Sequence, residues 1–200
     1  MKVRVAIIDS GGANIASLTC ALERLGAPNV LTVHPEIIRE SSHVILPGVG
    51  AAADAMKRLR AHGLDQLIPT LSQPVLGICL GLQLLADRSQ EDDAACLGIF
   101  PGVVEKLPGS PDSPVPNMGW CAVSRRRPHP LLHGVADGSH FYFVHSYALP
   151  VADYSVAEAQ HAGPLTAVAA SGNFVAAQFH PERSSKAGAR FLANFLALPA

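Results

Sequence analysis

The sequence contains 200 residues, of which 48% are hydrophobic and 16% charged, with a formal net charge of −1 at neutral pH. This composition is too apolar for a disordered chain and too poor in charge for a coiled coil. The balanced charge gives no global attraction to nucleic acid or to an anionic membrane, and no apolar run reaches the ~18 residues that a spanning helix requires. The four cysteines have no paired spacing, so we expect reduced thiols in a cytoplasmic protein.

Strand-like and helix-like segments alternate over the first 90 residues. Four short apolar or β-branched runs, typical of strands buried on both faces of a parallel sheet, cover residues 3–8, 30–33, 44–46 and 75–78. Helical periodicity covers residues 51–61, 64–71 and 80–86, and a first helix can be capped by Asn14 and ended by Gly26. This alternation predicts a parallel sheet covered by helices on both faces.

The second half of the chain follows a different pattern. Proline and glycine are dense over residues 101–116 and 128–138, which predicts loops. Strand-like runs cover residues 120–123, 141–144 and 154–157, a hairpin is predicted over 166–179, and a final helix over 186–196. We predict an α/β fold in a single domain over residues 1–200: a flavodoxin-like, mostly parallel sheet flanked by helices, with a mixed or antiparallel C-terminal half.

The sharpest local motif is Gly77-Ile78-Cys79-Leu80-Gly81, where a predicted strand runs directly into a predicted helix. Glycine stands two residues to each side of the cysteine, as in a nucleophile elbow, whose tight turn leaves no room for side chains. A helix N-terminus favours the thiolate, and the N–H of Leu80 is placed to receive an oxyanion. The motif predicts a nucleophilic Cys79, although the same residues also fit a buried structural cysteine.

A second motif, Gln178-Phe179-His180-Pro181-Glu182, ends the last predicted strand. In extended backbone, residues i and i+2 project to the same side, and Pro181 keeps His180 near extended geometry. Glu182 can therefore orient the imidazole of His180 and stabilise its cation, as the third group of a nucleophile–base–orienter triad does. Acidic residues beside histidines are common by chance, and only the combination with the cysteine elbow makes the motif specific.

A third motif, Leu46-Pro47-Gly48-Val49-Gly50, follows a predicted parallel strand. The carboxyl ends of such strands line the ligand crevice of a doubly wound sheet. A glycine-rich turn there lets backbone approach a substrate, so Val49 or Gly50 could supply a second oxyanion donor. A plain strand-ending turn explains these residues equally well.

Motifs for metals and cofactors are missing from the sequence. The nine histidines include no HExxH or 2-His-carboxylate spacing, and there is no CxxC. His129 and His133 are four residues apart, but in a proline-containing loop. There is no Walker A motif, and Gly11-Gly12 lacks the GxGxxG spacing. We expect neither a metal nor a cofactor.

These motifs together resemble the triad-type, class-I glutamine amidotransferases, through GICLGLQL at residues 77–84 and QFHPE at residues 178–182. Within that superfamily, the chain is similar to the glutaminase subunits of imidazole glycerol phosphate synthase, of histidine biosynthesis. The segments that carry this closer resemblance are IID at 7–9 with Gly11 and Asn14, LPGVG at 46–50, MGW at 118–120, FYFVHSY at 141–147 and SSK at 184–186. The resemblance extends from residue 3 to residue 195.

The resemblance implies a reaction. Cys79 would attack the side-chain amide carbon of glutamine and form a thioester with release of ammonia, while His180 moves the protons and Glu182 orients it. The residues implied to hold glutamine are Gly50, Gln83, Ser146 and Tyr147, and those implied to face the oxyanion are Leu80 and the turn of Val49 and Gly50.

The resemblance also implies a partner. The ammonia would pass to a separate cyclase subunit, a (β/α)8 barrel that forms a heterodimer with this chain, with Asn117 and Trp120 at the interface. The cyclase would make imidazole glycerol phosphate and an aminoimidazole carboxamide ribonucleotide.

Several positions depart from the family pattern without touching the triad. The family commonly has tyrosine at Ser10, glycine at Ala13, phenylalanine at Ala52, histidine at Asn117 and asparagine at Cys121. Asn117 and Cys121 flank Trp120, so these departures concern the interface.

Two alternatives stay open. One is a glutaminase that serves another synthase. The other is a catalytically silent amidotransferase-like subunit that only binds a partner, because a fold does not guarantee activity.

Overall fold

The structure is a computed structural model that describes residues 4–11 and 15–200. The predicted strand start at Val3, the predicted helix cap at Asn14 and the departure at Ala13 lie outside the described residues. The helices are α1 Ile15–Arg24, α2 Pro35–Glu40, α3 Ala52–Ala61, α4 Leu64–Leu67, α5 Leu80–Leu84 and α6 Ser185–Leu196. No helix within the described ranges combines the length and the apolar character needed to cross a membrane.

Nine strands form the main sheet. They are β1 Val5–Ile8, β2 Asn29–Thr32, β3 His43–Gly48, β4 Val75–Cys79, β8 Asn117–Arg125, β9 His140–His145, β11 Ser155–Gln160, β12 Pro164–Ser171 and β13 Phe174–Ala177. Their order is β2-β1-β3-β4-β13-β12-β11-β8-β9. The first five strands run parallel and the others pair antiparallel. The prediction of a flavodoxin-like parallel half joined to an antiparallel half is confirmed.

Two apolar clusters cover the two faces of this sheet. Val5 and Ile7 of β1 belong to the cluster that contains α1 and α6, whereas Ala6 and Ile8 belong to the cluster that contains α3, α4 and α5. Because neighbouring residues of a strand point to opposite faces, a strand buried on both faces must be apolar throughout. This explains the continuous apolar run from which β1 was predicted.

A second, smaller sheet was not predicted from the sequence. Its strands are β5 Ala86–Ser89, β6 Ala94–Ala95, β7 Phe100–Lys106 and β10 Tyr147–Ala148, in the order β10-β7-β5-β6. The loop predicted over residues 101–116 is therefore wrong as far as Lys106. Pro101 and Gly102 lie in an irregularity between the pairs Ala86–Phe100 and Arg88–Val103, and a bulge is a place where a sheet tolerates proline and glycine.

Two predicted helices end earlier than expected. The helix predicted over residues 80–86 ends at Leu84, because Ala86 already begins β5. The helix predicted over residues 64–71 ends at Leu67 and continues as the 3₁₀ turn Ile68–Thr70, which contains Pro69. Proline lacks the N–H that the α-helix would require at this position.

Candidate active site

Cys79 lies at the junction of β4 and α5, in a backbone conformation that is unusual for a side chain. Its φ is 54° and its ψ −109°, and such a conformation persists only where the surrounding structure enforces it. A Cβ on Gly77 would lie 2.7 Å from the carbonyl oxygen of Gly81, and a Cβ on Gly81 would collide with the carbonyl oxygen of Leu46. The predicted exclusion of side chains at both glycines is confirmed.

His180 and Glu182 form a buried pair beside this cysteine. His180 Nδ1 lies 2.9 Å from Glu182 Oε1, and the two side chains are only 12% and 5% exposed. The backbone of His180 is extended, and its N–H donates to the carbonyl of Tyr142 on β9 over 2.9 Å. Glu182 reaches the imidazole by a different route from the expected one, because Pro181–Arg183 forms a 3₁₀ turn rather than a continued strand.

The surroundings of His180 favour its cationic form. Burial by itself lowers the pKa of His180, but the hydrogen bonds that link it to Cys79 and Glu182, together with their negative charges, raise the pKa to about 10. Glu182 Oε2 is buried and has no hydrogen-bond partner among the described residues. The carboxylate charge is therefore directed at the imidazole, and an imidazolium so held is a charge partner for a thiolate.

A cavity of about 260 Å³ opens next to Cys79 and His180. The six other residues predicted to hold glutamine or its oxyanion all line it: Val49, Gly50, Leu80, Gln83, Ser146 and Tyr147. Val49 and Gly50 follow β3, Leu80 begins α5, and Tyr147 begins β10. The structure thus brings together all the predicted residues of the triad and of the substrate site, and their individual roles stay predictions.

Gln83 contributes to the cavity in a restricted way. Its Nε2 donates to the carbonyl of Tyr147 over 2.8 Å and to Gln178 Oε1 over 3.2 Å. Since an amide nitrogen carries two hydrogens, both are used within the protein. A ligand contact from Gln83 would therefore use its Oε1.

Glu91 lines the cavity and was missed in the sequence. It follows β5 in a 3₁₀ turn, and its Oε2 accepts a hydrogen bond from the backbone N–H of Ala52 at the start of α3 over 2.9 Å. Among the residues described as lining this cavity, it alone carries a carboxylate. Its only sequence signal is an acidic residue after β5, a strand that was itself not recognised.

Asn117 and Trp120 lie on opposite sides of β8. Trp120 is 53% exposed and Met118 65% exposed, whereas Asn117 is buried. Asn117 Nδ2 lies 3.1 Å from His145 Nε2, and its Oδ1 accepts a hydrogen bond from the thiol of Cys121. The alternation of a strand explains this division, and it leaves Asn117 without a surface that a partner could contact directly. The place of Trp120 at an interface stays a prediction, and Met118 is exposed on the same side of the strand.

Metal ligands do not cluster in the part of the chain that the structure describes. No group of three or more histidine, cysteine, aspartate or glutamate side chains there could hold a metal ion. His129 instead accepts a hydrogen bond from the N–H of Leu131 through Nδ1.

Comparison with known proteins was made for the sequence and for the fold. Residues 6–198 match the family described as glutamine amidotransferase class-I. The chain is 46% identical over 201 residues to "Imidazole glycerol phosphate synthase subunit HisH 1" of Vibrio vulnificus (strain YJ016), with 98% of each chain covered. It is 48% identical over 194 residues to "Imidazole glycerol phosphate synthase subunit HisH 2" of Legionella pneumophila (strain Paris), with 97% of this chain and 98% of the relative covered.

Two crystal structures are similar in fold. A glutamine amidotransferase superposes with a TM-score of 0.73 at 19% identity, with 96% of both chains covered. A glutamine amidotransferase from Thermotoga maritima superposes with a TM-score of 0.63 at 20% identity, with 96% of this chain and 81% of that chain covered. At such low identities the likeness shows the arrangement of strands and helices.

Proposed function

Because the chain belongs to the class-I glutamine amidotransferases, and within them to the HisH subunits, we propose that it is the glutaminase subunit of imidazole glycerol phosphate synthase in histidine biosynthesis. The observation that carries this proposal is the strained Cys79 at the wall of a cavity that His180, paired with Glu182, also lines. The whole-length similarity to HisH subunits supports the choice of this synthase over another one.

In the first half of the reaction, Cys79 Sγ attacks the side-chain amide carbon of glutamine. A sulfur–carbon bond forms, the carbonyl oxygen becomes an oxyanion, and the imidazolium of His180 gives its proton to the leaving nitrogen as the carbon–nitrogen bond breaks. The products are ammonia and a thioester on Cys79. Glu182 stabilises the cation of His180 before this proton transfer and keeps Nδ1 in its donor state.

In the second half, water hydrolyses the thioester. The imidazole of His180, now neutral, accepts a proton from the water as its oxygen attacks the thioester carbon. The sulfur–carbon bond then breaks, which releases glutamate and restores the Cys79 thiolate beside the His180 imidazolium. The helix start at Leu80 and the turn of Val49 and Gly50 supply the backbone donors for both oxyanions.

The rest of the cavity binds the amino acid part of glutamine. Glu91 pairs with the α-ammonium group, since it supplies the carboxylate of the cavity. Gly50, Ser146 and Tyr147 contact the substrate from the other walls, and Gln83 contributes its Oε1. These assignments follow from the position and chemistry of each lining residue.

The partner is a cyclase subunit of (β/α)8-barrel type, with which the chain forms a heterodimer. The relatives are named as subunits of a synthase, and large apolar side chains exposed side by side are typical of protein interfaces. Met118 and Trp120 form such a pair on β8.

We assign the whole chain to one amidotransferase domain, supported by the family match over residues 6–198. We assign the protein to the cytoplasm, supported by its four free cysteines.

The test separates ammonia production from its use. The Cys79→Ala protein, mixed with the cyclase subunit, should make no product from glutamine but should make product from ammonium salts at high pH, where NH3 is plentiful. Cys20→Ala, at an exposed thiol on α1, is the matched control and should behave like the wild type. Product from glutamine in the Cys79→Ala complex, or no binding of the wild type to the cyclase at micromolar concentration, would overturn the proposal.

A further inference from the structure

Gln178 lies directly beside the nucleophile on the neighbouring strand. Strands β13 and β4 are parallel, with Ala177 opposite Ile78, so the next residue of each chain brings Gln178 next to Cys79. The Gln178 side chain is fully buried. Its backbone N–H donates to the carbonyl of Ala167 over 2.9 Å, which anchors the residue to β12.

The hydrogen bonds of the cavity determine which end of the Gln178 amide faces the sulfur. The carbonyl of Tyr147 can only accept, so Gln83 must present its NH2 group there. The second hydrogen of that group requires an acceptor from Gln178, whose Oε1 lies 3.2 Å away. Gln178 Nε2 is thereby turned to Cys79 Sγ, at 3.8 Å. A backbone carbonyl thus sets the orientation of both amides.

Besides His180, two polar groups lie next to the sulfur, and they suit different protonation states. The carbonyl of Val144, 3.6 Å from Sγ, can only accept and suits the thiol. The Gln178 Nε2–H group can only donate and suits the thiolate, to which hydrogen bonds are stronger than to a neutral group. Because Gln178 is neutral, this donor keeps its form at every pH at which the protein is folded.

We propose that Gln178 is a further catalytic residue, a buried N–H donor that stabilises the thiolate of Cys79 and holds Sγ facing the cavity. This inference rests on the proposed function, since it assigns Gln178 to the same nucleophile. His180 and Gln178 then contact the sulfur as two different kinds of group: one takes its proton, and the other stabilises the charge that remains. Burial keeps water from replacing the amide.

The test is the pH dependence of alkylation of Cys79 by iodoacetamide in the isolated protein, with the modified cysteine identified by mass spectrometry. Gln178→Met keeps the length of the side chain and removes the donor. Gln178→Glu keeps the acceptor toward Gln83 and replaces the donor by an anion. We expect the midpoint of alkylation to move up by about one to two pH units in both variants, as the strength of a hydrogen bond to a charged group implies.

Gln73→Met is the matched control. Gln73 is also a buried glutamine, but its Nε2 donates to the carbonyl of Ile38, away from the cavity. Its loss should lower the thermal unfolding temperature and leave the alkylation midpoint of Cys79 unchanged. Thermal unfolding of the Gln178 variants identifies any that do not fold, and the two chemically different substitutions keep the test decisive.

Each outcome has a definite meaning. A raised midpoint in folded Gln178→Met, with Gln73→Met at the wild-type value, supports the proposal; Gln178→Glu should then raise the midpoint as well, because its anion also repels the thiolate. An unchanged midpoint in both Gln178 variants, with Cys79 still the alkylated residue, overturns it and leaves the glutaminase function intact. Alkylation of the wild type mainly at Cys20, Cys96 or Cys121 overturns the choice of nucleophile itself, and the assignment of Gln178 with it.

Discussion

The carboxylate of Glu91 accepts a hydrogen bond from the backbone N–H of Ala52 over 2.9 Å, and the same side chain lines the cavity beside Cys79. One oxygen is therefore fixed by the start of α3, and the negative charge is held at the cavity wall. An anion near a helix N-terminus is also favoured by the helix dipole. The backbone at the start of α3 thus stabilises the negative charge of Glu91 where it faces the cavity.

The first prediction concerns this charge. Glu91→Gln keeps an oxygen for Ala52 but removes the negative charge, so KM for glutamine should rise about 10- to 100-fold while kcat changes little. Steady-state kinetics of the complex measure both values. The matched comparison is 4-carbamoylbutanoate, which is glutamine without its α-amino group. Wild type and variant should hydrolyse it equally well, and a defect of the variant with this substrate would contradict the pairing.

The second prediction concerns Glu182. Glu182→Gln should lower kcat roughly 10- to 10⁴-fold, because the charge that stabilises the His180 cation is lost. The substitution should also lower stability, because either the oxygen or the NH2 group of the new amide takes the position of the buried Oε2, which has no hydrogen-bond partner among the described residues. Glu158→Gln, at a surface carboxylate paired with Arg126, is the control. Unchanged turnover of Glu182→Gln would mean that another group orients His180.

The third prediction concerns stability in acid. The pKa of His145 is lowered to about 4, mainly by burial and to a smaller extent by the charges of His161 and His180. A hydrogen bond to the carbonyl of Tyr147 raises this pKa and offsets part of the shift. A base with a lowered folded pKa binds protons better when unfolded. Its contribution to stability is therefore complete above pH 6.5 and is lost as the pH falls toward 4, by about 3 kcal/mol.

Denaturant unfolding of His145→Asn and wild type across pH 4 to 7.5 measures this effect. At neutral pH the variant should be the less stable protein, because the hydrogen bonds of His145 to Asn117 and Tyr147 are lost. The difference should shrink steadily as the solution is acidified. A difference that is independent of pH would show that His145 is not held neutral in the folded state.

The fourth prediction concerns the interface. Trp120→Ala should weaken cyclase binding by about 2 kcal/mol or more, roughly 30-fold or more in Kd, because large aromatic side chains dominate interface energies. Leu31→Ala is the control: Leu31 is also a large exposed apolar residue, but it lies on β2, at the opposite edge of the sheet. Isothermal titration should show a weaker complex for the first variant only. Equal affinity of both would move the interface away from β8.

The sequence predicted those parts of the molecule that are determined by neighbouring residues. Strands buried on both faces must be apolar throughout, and the close approach at Gly77 and Gly81 requires glycine, so the parallel half of the sheet and the elbow could be predicted. Other features depend on distant pairing. Pro101 and Gly102 resemble a loop until their strand is seen to bulge between two partners.

The features of the site that the sequence did not predict also depend on contacts between distant parts of the chain or on where an element begins. Glu91 carries no motif, and only the fold of the smaller sheet brings it to Ala52. The burial of Asn117 follows from the alternation of β8, which begins three residues before the predicted strand at residue 120. Glu182 contacts His180 as expected, but through a turn that starts at Pro181, since proline is well suited to the first position of a helical turn.

The contact between Gly81 and the carbonyl of Leu46 has a consequence for transplanting this chemistry into a new scaffold. Gly81 belongs to the helix that follows Cys79, while Leu46 belongs to the strand that leads to Val49 and Gly50. The helix after the nucleophile and the strand before the turn of Val49 and Gly50 are thus in contact through their backbones. A GICLG segment grafted alone would lack the strand against which Gly81 packs. The smallest segment set that could be transplanted is therefore the ends of the adjacent strands β3 and β4 together with the first turn of α5.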